Sequence, residues 1–148
     1  MDLGRFVVLF SHLDTDVSFL LSALLKPLDN ISRNLVISRL EYKQKLNLLR
    51  DIIKLRFEKK LLIEFEDLYK SLTDIGYERN DFMHSLWQID YDEDDNDIYK
   101  VNHRKRNKTS DFIITIENQV RDSSKKVRAI MKDVKKFTGK IYSALYAK

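Results

Sequence analysis

Arg79, Asn80 and His84 are the residues of this chain whose types and spacing best suit chemistry. A guanidinium that stays charged, a side-chain amide and an imidazole that titrates near neutrality fall within two helical turns, a set suited to handling a phosphodiester. On an α-helix Asn80 and His84 are i and i+4 and share a face, whereas Arg79 and His84, five apart, are separated by about 140°. Arg79 reaches the ligand of His84 in one of two ways. Its long stem curls around the helix, or a second copy of the motif faces the first across a dimer axis and makes a composite site at a homodimer interface.

Attack of an RNA 2′-hydroxyl on its adjacent phosphate needs a base for the hydroxyl, an acid for the leaving 5′-oxygen and a cation for the crowded phosphorane. His84 serves as base or acid, a role worth about 10²- to 10⁴-fold. Arg79 offers a planar fork to phosphate oxygens, and Asn80 orients His84 or donates to a phosphate oxygen. This chemistry calls for no metal and no cofactor, and the sequence offers no metal site. The competing reading is an exposed cap region, with Asn80 or Asp81 capping a helix, Arg79 paired with Glu78 or a nearby acid, and His84 a satisfied surface or core histidine.

Other candidates carry less. His12 and His103 stand alone, without partners at ligand spacing. Tyr77 and Trp87 flank the motif with rings that either stack a base or pack the interior, and packing is the expectation for Trp87. Asp92, Asp94 and Asn96 alternate as in a calcium loop, but the glycine and the bidentate glutamate of an EF-hand are missing, so the run reads as a solvated loop. Lys100, Arg104, Lys105, Arg106 and Lys108 form a basic run able to follow an RNA backbone, or simply to solubilise the chain or answer the acids before it.

The elements that must position the motif are helical. The chain has 148 residues, one proline, three glycines and no cysteine, which suits one domain over 1–148 with long helices, no disulfide framework and a reducing, cytoplasmic setting. A net charge of +4 permits a polyanionic partner without requiring one. Residues 5–25 are apolar enough to suggest a membrane segment, but His12, Asp14 and Asp16 interrupt them, so the expectation is a core helix ended near Pro27 and no membrane association.

Residues 35–57 place Val36, Leu40, Leu46, Leu49, Ile53 and Phe57 on one helical stripe, with Arg39, Lys43, Lys45 and Arg50 on the other face. From Glu58 a further stripe runs through Leu61, Leu62, Phe65, Leu68, Leu72 and Ile75, and Gly76 either ends that helix or kinks it before the motif. Residues 90–108 read as an irregular charged insert in which Ile98, Tyr99 and Val101 suit one strand of a small hairpin. Helix returns from about Asp111 or Thr115 to Tyr146, with Ile116, Val120, Val127, Ile130, Val134, Phe137 and Ile141 on one stripe and a strongly basic opposite side. Stripes of this kind must be buried against one another, so the expected fold is all-α, an up-down bundle of four to five helices.

Arg79-Asn80-x-x-x-His84 resembles the R-(N/D/H)-x-x-x-H form of the R-x4-6-H motif of the HEPN superfamily (higher eukaryotes and prokaryotes nucleotide-binding), and Ser85-Leu86-Trp87 resembles the continuation often seen after it. The order of elements is similar over nearly the whole chain. The resemblance implies a helical bundle, dimerisation that pairs the motifs, metal-independent endoribonuclease activity in many members, and toxin-antitoxin, abortive-infection or other defence and stress settings with an antitoxin or nucleotidyltransferase partner. Other members bind RNA or nucleotides without cleaving, or serve as structural partners. It also sets Asp14 where some members carry an acidic residue near the site. Three readings therefore stand: a HEPN-like endoribonuclease, an inert RNA- or nucleotide-binding module, and a helical interaction scaffold.

Overall fold

The computed structural model describes residues 2–84, 86–89, 98–101 and 116–147. It is an all-α bundle of five helices, α1 (Asp2–Leu24), α2 (Asn30–Ser38), α3 (Tyr42–Arg56), α4 (Lys59–His84) and α5 (Ile116–Tyr146). Between α4 and α5 the backbone pairs two short antiparallel strands, β1 (Leu86–Ile89) and β2 (Ile98–Val101), with Leu86 opposite Val101 and Ile89 opposite Ile98. The strand expected around Ile98 is present, and its partner lies ahead of the acidic run. Residues 90–97 and 102–115, with the calcium-like alternation, His103, Arg104, Lys105, Arg106 and Lys108, lie outside the described residues, as do the side chains of Trp87 and Lys100.

Side-chain contacts set the directions of the helices. Phe10 lies against Tyr42, Asp14 meets Lys45, and Arg56 donates to the Leu24 carbonyl, so α1 and α3 run parallel. Tyr42 reaches the Leu72 carbonyl and Arg50 pairs with Glu66, which makes α4 antiparallel to α3. Glu64 with Lys140 and Glu78 with Lys126 turn α5 back along α4. The short α2 returns the chain from the end of α1 to the start of α3, completing the up-down order.

The core is the product of the stripes. Phe6, Phe10, Leu13, Val17, Leu20, Leu21 and Leu24 of α1 are buried, against Leu46, Leu49 and Ile53 of α3, Phe65, Leu68, Leu72, Ile75 and Phe82 of α4, and Val120, Val127, Ile130, Val134, Phe137 and Ile141 of α5. Each such side chain contributes roughly 1.5–3 kcal/mol by leaving water. Helix α1 has the length and hydropathy of a membrane span, yet its apolar stripe is the centre of this core.

The helix expected over 35–57 is two helices. Residues 39–41 break it because each segment has its own start signal: Asp29 accepts from the Ser32 backbone N–H at 2.9 Å and from its hydroxyl at 2.7 Å, and the Gln44 side chain accepts from the Glu41 N–H at 2.8 Å. Those two bonds from Ser32 also hold the Asp29 carboxyl below its ordinary pKa. Helix α2 buries no residue, and Arg33 ties it to the Ser22 carbonyl of α1 at 3.0 Å.

Gly76 neither ends nor kinks α4, which continues to His84. A Cβ there would stand 3.0 Å from Cε1 of Tyr42, so the missing side chain is what lets the Tyr42 ring lie on the helix and donate to the Leu72 carbonyl at 3.0 Å. Burial, and secondarily the negative charge of Asp14, pushes the Tyr42 phenol well above the usual tyrosine value near 10. A raised folded-state pKa contributes stability that is complete below pH 10 and lost as pH rises toward the folded value. Each pH unit in that window costs about 1.4 kcal/mol. Tyr42→Phe is therefore expected to cost about 1 kcal/mol at neutral pH and to flatten the alkaline limb of stability, read by urea unfolding at pH 8 to 11.

Candidate functional site

The apolar row of α4 continues at spacings of three and four through Phe65, Leu68, Leu72, Ile75, Arg79 and Phe82. Every member but Arg79 is buried and apolar. An arginine thus occupies a position of the core row five residues before the motif histidine. Its guanidinium carbon lies 5.9 Å from the centre of the Phe10 ring, and its Nη1 donates to Asn80 Oδ1 at 3.0 Å. Among the described residues Arg79 has no acidic partner. Glu78, its neighbour in sequence, is taken by α5: it accepts from the Ser123 hydroxyl at 2.6 Å and from Lys126 Nζ at 2.6 Å. Because residues 79–81 lie inside α4, the cap reading of the motif does not hold.

The second face of the same helix is polar and small. Thr73, Gly76, Tyr77, Asn80 and His84 follow one another at i, i+3, i+4, i+7 and i+11, and all of them line a cleft of about 700 Å³ between α1, α3 and α4. Phe10, Ser11 and Asp14 form its α1 wall, and Tyr42 and Lys43 stand on its α3 wall. Arg79 lines it too. Arg79 and His84 thus line the same cleft within one chain, with the guanidinium beside the Phe10 ring. Asn80 and His84 are exposed, and Arg79 is half-buried.

Phe82 fixes the phase of this last part of α4. It is buried and meets Phe6 edge-on, ring centres 5.2 Å apart at 84°. With Phe82 held in the core, Asn80 and His84 are left on the open side. Lys45 of α3 is buried, and its ammonium lies 2.8 Å from Oδ1 of the cleft residue Asp14. The helical periodicity of α3 sets Lys45 on a solvated face, but the approach of α1 covers it. Asp14 itself is about one-third exposed toward the cleft.

Of the residues expected from sequence, Arg79, Asn80 and His84 come together, and Asp14 lines the same cleft. Tyr42 was not expected in the cleft, nor Lys45 as the partner of Asp14. Their signal is tertiary, since nothing in the local sequence of α3 shows which α1 residues face it. His12 is exposed and does not line the cleft. No group of three or more metal-ligating side chains gathers among the described residues. No family model, no curated protein and no solved structure matches the chain.

Proposed function

We propose that the chain is a HEPN-like endoribonuclease that cleaves RNA by attack of a 2′-hydroxyl on the adjacent phosphate. The observation that carries this reading is Arg79, a cation without an acidic partner among the described residues, set in a core row and brought with Asn80 and His84 to one cleft. Buried or half-buried charge is costly unless something compensates it. A phosphate in the cleft compensates it with two parallel charge-assisted hydrogen bonds.

In the reaction the 2′-oxygen forms a bond to phosphorus as its proton passes to a base. The bond from phosphorus to the 5′-oxygen then breaks, and that oxygen takes up a proton. The products are a 2′,3′-cyclic phosphate and a free 5′-hydroxyl. His84 is the proton-transfer group, and Arg79 neutralises the non-bridging oxygens as charge builds on the phosphorane. Asn80 holds the Arg79 fork through its Oδ1, which leaves its amide NH₂ to donate to the phosphate. Among the described residues one chain brings a single imidazole to the cleft, whereas attack and departure use a base and an acid. A homodimer that sets two copies of His84 across from each other supplies both, and the exposure of His84 suits that arrangement. A toxin or defence setting, with an antitoxin or nucleotidyltransferase partner, belongs to the same proposal.

The attacking group gives a direct test. An RNA carrying one 2′-deoxynucleotide at a mapped cleavage site is expected to be cut everywhere except at that site. Cleavage that persists there would show that another nucleophile attacks, and the mechanism would fall. A second reading, RNA binding without cleavage, is favoured by the single imidazole that the described residues bring to the cleft, and retention of RNA with no scission would select it.

A further inference from the structure

We infer that Lys43 and Tyr77 form a nucleotide subsite beside the reacting phosphate, one that takes an unpaired base on the Tyr77 ring and the next backbone phosphate on Lys43. The inference rests on the proposed RNA chemistry of the same cleft and adds a substrate class to it, single-stranded RNA.

Tyr77 belongs to the cleft-facing series of α4, one turn before Asn80, yet it is 57% exposed. A tyrosine that packs a bundle buries its ring, and this one leaves more than half of its surface in water. Its neighbours explain why the ring is held out: Gly76 beside it offers no side chain, and the space over Gly76 is filled by Tyr42. Lys43 comes from α3 across the cleft wall. Its ammonium lies 3.5 Å from the Tyr77 hydroxyl and 5.8 Å from the ring centre. Those two distances set the charge out past the phenol oxygen rather than over the ring, so the cation does not occupy the face on which a base would lie. Lys43 has no acidic partner among the described residues.

The cleft is thus flanked on its α1 side by a guanidinium over Phe10 and on its α3 side by an ammonium at the edge of Tyr77, with Asn80 and His84 on the helix between them. Two cations on opposite walls of one cleft offer separate contacts to two phosphates of one strand. An exposed ring beside one of them matches the base between those phosphates. Stacking needs an unpaired base, because a base inside a duplex has no free face. The residues therefore select single strands and loops over helical RNA, without a hydrogen-bonding code for sequence.

The test uses an uncleavable probe, so that it stands apart from catalysis. A fluorescent 2′-O-methyl RNA hexamer, whose attacking hydroxyls are capped, is titrated with the full chain and followed by anisotropy, beside the same strand annealed to its complement. The single strand is expected to bind at least tenfold more tightly than the duplex. Tyr77→Phe is expected to hold affinity within twofold, and Tyr77→Leu to weaken it about tenfold, in the range of base-on-aromatic stacking. Lys43→Gln is expected to reduce the slope of log affinity against log salt by about 0.7, one phosphate contact on a single strand. Both side chains are exposed, and circular dichroism confirms that each variant keeps its helices.

Binding that depends on Tyr77 and Lys43 in a protein that cuts no RNA would uphold the subsite while removing the ribonuclease reading. Cleavage with affinity and KM unchanged in Tyr77→Leu and Lys43→Gln would overturn the subsite and leave the ribonuclease reading in place. Equal affinity for strand and duplex, or no binding of the hexamer, would also overturn it.

Discussion

His84→Ala is expected to slow RNA cleavage by about 10²- to 10⁴-fold, the usual worth of a positioned proton-transfer group. The loss should fall on kcat, because the proposed subsite assigns binding of the hexamer to Arg79, Lys43 and Tyr77 rather than to the imidazole. Stability should move by no more than about 0.5 kcal/mol, as for other surface substitutions. His84 is exposed at the end of α4 and has no hydrogen-bond partner among the described residues, while the last turn is anchored by Phe82 against Phe6. The comparison that decides is therefore rate against thermal midpoint. A variant that loses its helices together with its activity would show that His84 is structural, and one that keeps both would remove His84 from the mechanism.

Arg79→Met is expected to separate function from stability in the opposite sense. The position continues the row of Phe65, Leu68, Leu72, Ile75 and Phe82, so an unbranched apolar side chain fits the core and lies over Phe10 where the guanidinium now lies. Removing an unneutralised charge from such a place is expected to raise stability by about 0.5–2 kcal/mol, the range common for repairs of this kind. In a chain of this size that corresponds to a few degrees in thermal midpoint, at about 2–4 °C per kcal/mol. Cleavage is expected to fall about 10²- to 10³-fold with the loss of a charge-stabilising donor. Arg79→Lys keeps the charge but not the planar fork and should recover only part of the rate. A destabilised Arg79→Met variant would mean that the guanidinium holds the fold together, and the functional argument built on its position would lose its basis.

Much of the architecture was legible because burial periodicity is a local property. The stripes read in α4 and α5 name most of their buried residues, and Arg79-Asn80-x-x-x-His84 stands out as a set of types at fixed spacing. The break between α2 and α3 was hidden because Val36 and Leu40 continue the apolar spacing of α3 backward. The polar signals that end it, Asp29 with Ser32 and Glu41 with Gln44, are short and easily outweighed. Gly76 read as a breaker because glycine weakens helices by about 1 kcal/mol, whereas its reason here is the Tyr42 ring packed on it from another helix. Lys45 read as solvated because its partner Asp14 is 31 residues away in sequence. The position of Arg79 within the core row was present in the sequence all along. It becomes informative only once the neighbouring members of that row are seen to be buried.

Incubation of end-labelled single-stranded RNA in EDTA with the parent chain, His84→Ala and Arg79→Met, with chemical analysis of the product ends, tests the central claim most directly. The parent is expected to cleave and leave 2′,3′-cyclic phosphate and 5′-hydroxyl ends, and both variants to lose that activity while staying folded. Absence of cleavage by the parent across salt and pH, or cleavage by either variant at the parent's rate, would contradict it.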